Sequence, residues 1–132
     1  MITKQRIWAS GLIAVVLFIN VQCAVAFLIR PGAYVPGFEL QGEVGVAVIR
    51  SLGVLFVMWN IPYGVALWNP IRHRLALYEA LGMQATGLAG ETLIYALLPA
   101  IHSVARGAIL RFVVFDGLGL LALVAAVWLS RK

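Results

Sequence analysis

Charge and cysteine are both scarce in this sequence. Only 11% of its 132 residues are charged, and five are acidic. Soluble domains average about 25% charged residues, so an ordinary water-facing surface is excluded. The single cysteine, Cys23, rules out an intrachain disulfide and any Cys-x-x-Cys redox motif. There are two histidines. His73 falls in a polar turn and His102 just beyond the far end of the following apolar segment, so they cannot share a metal or haem, and no metal site is expected. The formal charge of +5 does not signal nucleic acid. Its lysines and arginines stand singly or in pairs between apolar runs rather than in a stripe, a pattern of membrane orientation.

What the chain has in abundance is apolar surface, with 63% hydrophobic residues. A domain this small has a high surface-to-volume ratio and cannot hide that much, so the excess must face lipid. The predicted fold is all-α: an integral membrane bundle of four transmembrane helices forming one domain over 1–132, with no second domain. Apolar helices are placed at about 7–29, 44–68, 75–98 and 107–129, each long enough for a bilayer core of about 30 Å at 1.5 Å per residue. Lys4, Arg6 and the small-residue run Ala24-Val25-Ala26 also suggest a secretory signal, but the first apolar stretch is long for one, and a retained helix is expected. Between the first two helices lies an outer loop, 30–43, broken by Pro31, Gly32, Pro36, Gly37 and Gly42. Tyr34 and Phe38 give it an apolar side, so it is placed at the interface. Asn69-Pro70 and Pro99 end the second and third helices.

Orientation follows from the basic residues. One side carries Lys4, Arg6, Arg72, Arg74, Arg131 and Lys132; the other has Arg30 and Arg106 beyond the helix ends. The positive-inside rule places both termini in the cytoplasm. Trp8, Trp68 and Trp128 fall near the same ends, where an interfacial belt belongs. Cell membrane, multi-pass, is the expected location.

Ionisable residues within the apolar segments point to where chemistry would lie, because each costs about 2.5–3.5 kcal/mol at mid-bilayer and usually turns inward to pair. Arg50, Glu91, Arg111 and Asp116 all fall in the outer half or near the middle of their helices. By helical phase, Arg50 shares a face with Gly53, Val57, Asn60 and Gly64, and Glu91 shares one with Gln84, Gly87 and Tyr95. Arg111 lies about 140° around from Asp116, pointing elsewhere and snorkelling outward. The expected pair is Arg50 with Glu91 or Asp116. Deeper in, Asn60 and Gln84 reach similar depth and are expected to bond across helices, while Asn20 and Gln22 could join the charged layer. These residues make either a structural lock or a polar pocket holding a lipid headgroup or quinone-like molecule. Two carboxylates in such a pocket could also support acid/base work, though an enzyme is the lesser expectation.

Pro62 sits inside the second helix and leaves the carbonyl of Met58 without its usual donor, so a kink would open space beside Trp59 and Asn60. The aromatic pair Phe112 and Phe115 reads as packing. Ala47-Val48-Ile49-Arg50 and Ala108-Ile109-Leu110-Arg111 open the second and fourth helices alike, a hint of a duplicated hairpin.

The outer Gly/Pro loop, the entry AVIRSLGVLF at 47–56 and the stretch RFVVFDGLGLL at 111–121 resemble the DoxX-like family of small four-helix membrane proteins. The resemblance covers the chain from Val44 onward. That group includes small membrane subunits associated with quinone-linked oxidation and many members of unknown function. The resemblance implies Arg50 and Asp116 as the shared polar core and no catalytic motif to transfer.

The leading functional expectation is a small accessory or assembly subunit of a larger, quinone-linked membrane complex, or a homo-oligomer in lipid. The alternative is a stand-alone binder or enzyme for an apolar small molecule or lipid, using the intramembrane polar pocket. No cofactor is predicted, with quinone left open. Small four-helix multidrug exporters carry an essential carboxylate in their first helix; 7–29 contains none, which counts against that reading.

Overall fold

The computed structural model describes residues 4–131. They form an all-helical bundle: α1 (Lys4–Ile29), α2 (Gly42–Trp59), α3 (Ile61–Trp68), α4 (Arg74–Leu97) and α5 (Ser103–Ser130), with short 3-10 turns at Pro31–Ala33 and Pro36–Phe38. Three helical stretches, Lys4–Ile29, Gly42–Trp68 and Ser103–Ser130, are long and apolar enough to cross a membrane. The bundle's outside is apolar, with Phe18, Leu118, Leu121 and Ile101 each more than half exposed, as expected of a lipid-facing surface.

The second apolar segment, expected as one helix over 44–68, is broken at Asn60. Pro62 has no N–H to give to Met58, and the chain tightens at Asn60: its backbone N–H is shared between Phe56 O and Val57 O, each at 3.2 Å, while its side-chain Nδ2 donates to Phe56 O at 2.6 Å. The break sends the two halves to different neighbours. Below it, α3 packs against α4 and α1; above it, α2 packs against α1 and the Pro31–Ala33 turn and makes no extended contact with α4.

The start of α1, the end of α5 and the turn at 69–73 share one end of the bundle, and the loop at 30–41 shares the other with residues 98–102. Ala9, Ala66, Ala80 and Ala126 are fully buried at the termini end, where their small side chains let the helices close around Ile13, Tyr63, Leu77 and Leu123. At the loop end the core is thinner: Phe27, Val35 and Ile49. There Gly53 lets α2 approach α1, since a Cβ at Gly53 would stand 2.9 Å from Leu28 Cγ and 3.1 Å from Ala24 O.

Arginines close helix C-termini at both ends. Arg6 donates to Trp68 O at the end of α3 (3.1 Å), and Arg74 to Ser130 O at the end of α5 (3.0 Å). Arg106 donates to Tyr95 O (2.9 Å) and Leu98 O at the end of α4, with its guanidinium 4.3 Å from the Tyr95 ring centre. Each cation meets the carbonyls that a helix leaves without partners, at its negative pole.

The last helix starts at Ser103, earlier than the expected 107. The reason is a cap supplied from the loop. Glu39, in the left-handed region at φ 56°, accepts the N–H groups of Val104 (3.2 Å) and Ala105 (3.3 Å), and His102 Nδ1 at 2.6 Å. A carboxylate there satisfies two orphan donors and the positive helix end together, which stabilises an extra turn. The hydrogen bond from His102, then those from the backbone, hold the Glu39 carboxyl below the ordinary carboxylate range.

Candidate functional site

Because α2 and α4 separate above the break, a cavity of about 420 Å³ fills the gap between them, with α1 and α5 as its other walls. Its loop end is aromatic. Phe27 stands at the centre, with ring centres of Tyr34 at 4.8 Å, Phe56 at 5.8 Å, Phe38 at 6.0 Å and Phe112 at 6.4 Å. Tyr34 and Phe38 come from the loop that Glu39 and His102 pin down, so the loop forms the cavity's roof. These tilted and edge-on arrangements are the favoured aromatic geometries.

The other end is polar. Asn20 Nδ2 donates to Asn60 Oδ1 at 3.1 Å, joining α1 to the break. On the opposite wall a chain of hydrogen bonds runs from Trp59 Nε1 to Tyr63 OH (3.2 Å), from Tyr63 OH to Gln84 Oε1, and from Gln84 Nε2 to Asp116 Oδ1 (3.2 Å) and Asp116 O (3.3 Å). Tyr63 and Gln84 are essentially inaccessible, so their polar atoms must be partnered, and the chain partners them. It also orients Asp116. With Oδ1 held by Gln84, Oδ2 lies over Gly87, where an added Cβ would stand 2.7 Å from it and 3.2 Å from Trp59 Cζ2. Only glycine leaves Asp116 and Trp59 in their places there.

Asn60, Glu91 and Asp116 thus line one cavity, together with Asn20 and Arg111. Gln84 sits behind the wall and acts through Asp116. Several expected relationships differ. Arg50 does not pair with Glu91 or Asp116: it is exposed on α2 and lines a shallow groove with Gly32, Val35 and Glu43. Of the residues grouped with it, Gly53 and Asn60 do pack inward, while Arg50 itself is left outside next to the buried Ile49. Arg111, expected to snorkel outward, is exposed and also borders the cavity, in the place meant for Arg50. Asn60 and Gln84 do not bond to each other; the helix break turns Asn60 toward α1, and Tyr63 reaches Gln84 instead. Gln22 is exposed and outside the cavity. The polar core inferred for Arg50 with Asp116 is therefore divided between two places.

The aromatic end went unread in the sequence, where Phe112 and Phe115 looked like packing and Phe27 and Phe56 like unremarked apolar residues. Nothing in helical spacing says that rings from α1, the loop, α2 and α5 converge. Trp59 beside Pro62 was the available signal. Among the described residues, no group of three His, Cys, Asp or Glu side chains is arranged to hold a metal ion. Compared with known protein families, curated proteins and solved structures, the chain matches none.

Proposed function

We propose that this chain is a four-span membrane protein, both termini cytoplasmic, whose cavity binds an apolar small molecule or lipid entering from the outer leaflet. The observation that carries the reading is the gap between α2 and α4: about 420 Å³, aromatic at one end and polar at the other. Small-molecule sites occupy about 300–1,000 Å³ and combine mostly apolar walls with a few placed polar groups. In the proposed orientation α4 is the third span, made less apolar by the polar residues it turns to the cavity. Lys4, Arg6, Arg72, Arg74 and Arg131 mark the cytoplasmic face.

A second reading has its own support. On α4, Leu75, Tyr78, Gly82, Ala85, Ala89, Thr92 and Ala96 recur at alternating three- and four-residue spacing, and all are exposed. The small residues from Gly82 to Ala96 suit close helix packing in lipid. They favour an accessory or assembly subunit of a larger, quinone-linked complex, or a homo-oligomer. In either case the chain would be a divergent DoxX-like protein.

Native mass spectrometry of the protein gently extracted from its own membrane separates the two. A retained species of small-molecule mass supports the cavity reading. Fixed-stoichiometry larger subunits, with no small molecule retained, would replace it with the accessory one.

A further inference from the structure

Three charged side chains line the cavity, and none is paired. Arg111, Glu91 and Asp116 all border it, yet no opposite charge lies within 4.0 Å of any of them among the described residues. Glu91 and Arg111 make no hydrogen bond among these residues either. Asp116 offers its free Oδ2. Opposite charges in a low-dielectric setting normally collapse onto one another, since their attraction there is far stronger than in water. Here they stay apart: Gln84 holds Asp116 back, and Glu91 on α4 and Arg111 on the neighbouring α5 border the cavity without meeting.

The remaining polar atoms show which ligand would suit. The side-chain amides of Asn20 and Asn60 each already make one donation, to Asn60 Oδ1 and Phe56 O. Trp59 Nε1 is committed to Tyr63, and Gln84 Nε2 to Asp116. A neutral carbonyl compound needs donors, and the wall has few to give beyond Arg111. What the wall does offer are acceptors, two carboxylates beside rings of Trp59, Phe112 and Phe115. Carboxylates with aromatic faces recognise an ammonium group, through charge and through the ring quadrupole. Arg111 adds the complement for an anion, and a guanidinium matches phosphate geometry.

Resting on the cavity reading above, we propose that the ligand is zwitterionic: a phospholipid whose headgroup places its ammonium between Glu91 and Asp116 and its phosphate on Arg111. Its acyl chains leave through the gap between α2 and α4, past the exposed Ile94. A neutral quinone leaves three charges unanswered, and an anionic lipid leaves the two carboxylates so.

Cys23 lies on the cavity wall and is the chain's sole cysteine, so the unaltered protein carries its own reporter. Alkylation of Cys23 by a small maleimide is followed in detergent against short-chain phosphatidylethanolamine, short-chain phosphatidylglycerol, a decylammonium salt and a decyl-substituted benzoquinone. The zwitterionic lipid is expected to slow alkylation at about tenfold lower concentration than either single-charge ligand, each lost charge contact amounting to about 1.4 kcal/mol. Arg111→Gln should erase its advantage over decylammonium, and Glu91→Gln with Asp116→Asn its advantage over phosphatidylglycerol. Equal or better protection by phosphatidylglycerol, by decylammonium or by the benzoquinone overturns the zwitterion while leaving a ligand-binding cavity. Protection by none of the four overturns both.

Discussion

Gln84 reaches from α4 to α5 and fixes the Asp116 carboxylate, its Nε2 lying 3.2 Å from Oδ1. Its other amide atom accepts from the buried hydroxyl of Tyr63. One side chain thus locks the helix break to the acidic side of the cavity. Gln84→Leu should strand the Tyr63 hydroxyl and destabilise the protein by about 1–3 kcal/mol, the cost of a buried unsatisfied group. In a Tyr63→Phe background, where Trp59 Nε1 has already lost its acceptor, Gln84→Leu should cost measurably less. Thermal unfolding of the two single variants and the double in detergent checks it; an equal cost in both backgrounds would contradict the linkage.

Gly87 should be hard to replace without a loss of binding. An alanine there must displace Asp116 Oδ2 or Trp59, and both border the cavity. Gly87→Ala should weaken ligand protection of Cys23 about tenfold, or about 1.4 kcal/mol. Gly82→Ala is the comparison, because a Cβ at Gly82 meets nothing within 4 Å. Similar effects from the two substitutions would refute the argument.

The loop should loosen in acid. The Glu39 carboxyl titrates below its ordinary value of 4.5, held down first by the His102 hydrogen bond and then by the backbone donors. A depressed folded value means the contact's contribution is fully present above the ordinary carboxylate range and is lost as pH falls through the folded value. Amide exchange at Val104 and Ala105, corrected for intrinsic rates, should therefore accelerate on acidification in that window. Glu39→Gln should show fast exchange at every pH. Unchanged protection in that variant would mean the α5 cap does not depend on the charge.

Arg106 caps α4 with two donations and covers the Tyr95 ring. Arg106→Ala should destabilise by about 2 kcal/mol, at the upper end for a partly buried cation at a helix C-terminus. Denaturant melts measure the loss. A change below about 0.5 kcal/mol, the usual scale of a surface substitution, would show that the cap is dispensable.

The proposed topology makes its own prediction. In a Cys23→Ser background, single cysteines at Ile71 and Arg131 should react with an impermeant thiol reagent only after the membrane is opened. A cysteine at Gly32 should react in sealed cells. The reverse pattern would invert the orientation.

Much of this architecture was legible in the sequence because it rests on composition and local chemistry. Long uncharged runs dictate helices that lipid can surround, and the Pro62 ring removes a donor wherever the helix goes, so a disturbance beside Trp59 and Asn60 was readable. Glu91 and Asp116 stood out because ionisable groups in apolar runs are rare. What only the tertiary structure decided is how the helices turn about their axes. Spacing along α2 groups Arg50 with Asn60, but the break at Asn60 ends that face, and the close approach of Gly53 to α1 leaves Arg50 outside. Arg111 enters the cavity in its stead. Phase within one helix is local, whereas rotation against a neighbour is set by which small residues allow contact, here Gly53 and Gly87. The roof likewise depends on contact between distant segments. Glu39 and His102 are 63 positions apart, and only the folded chain brings them to 2.6 Å.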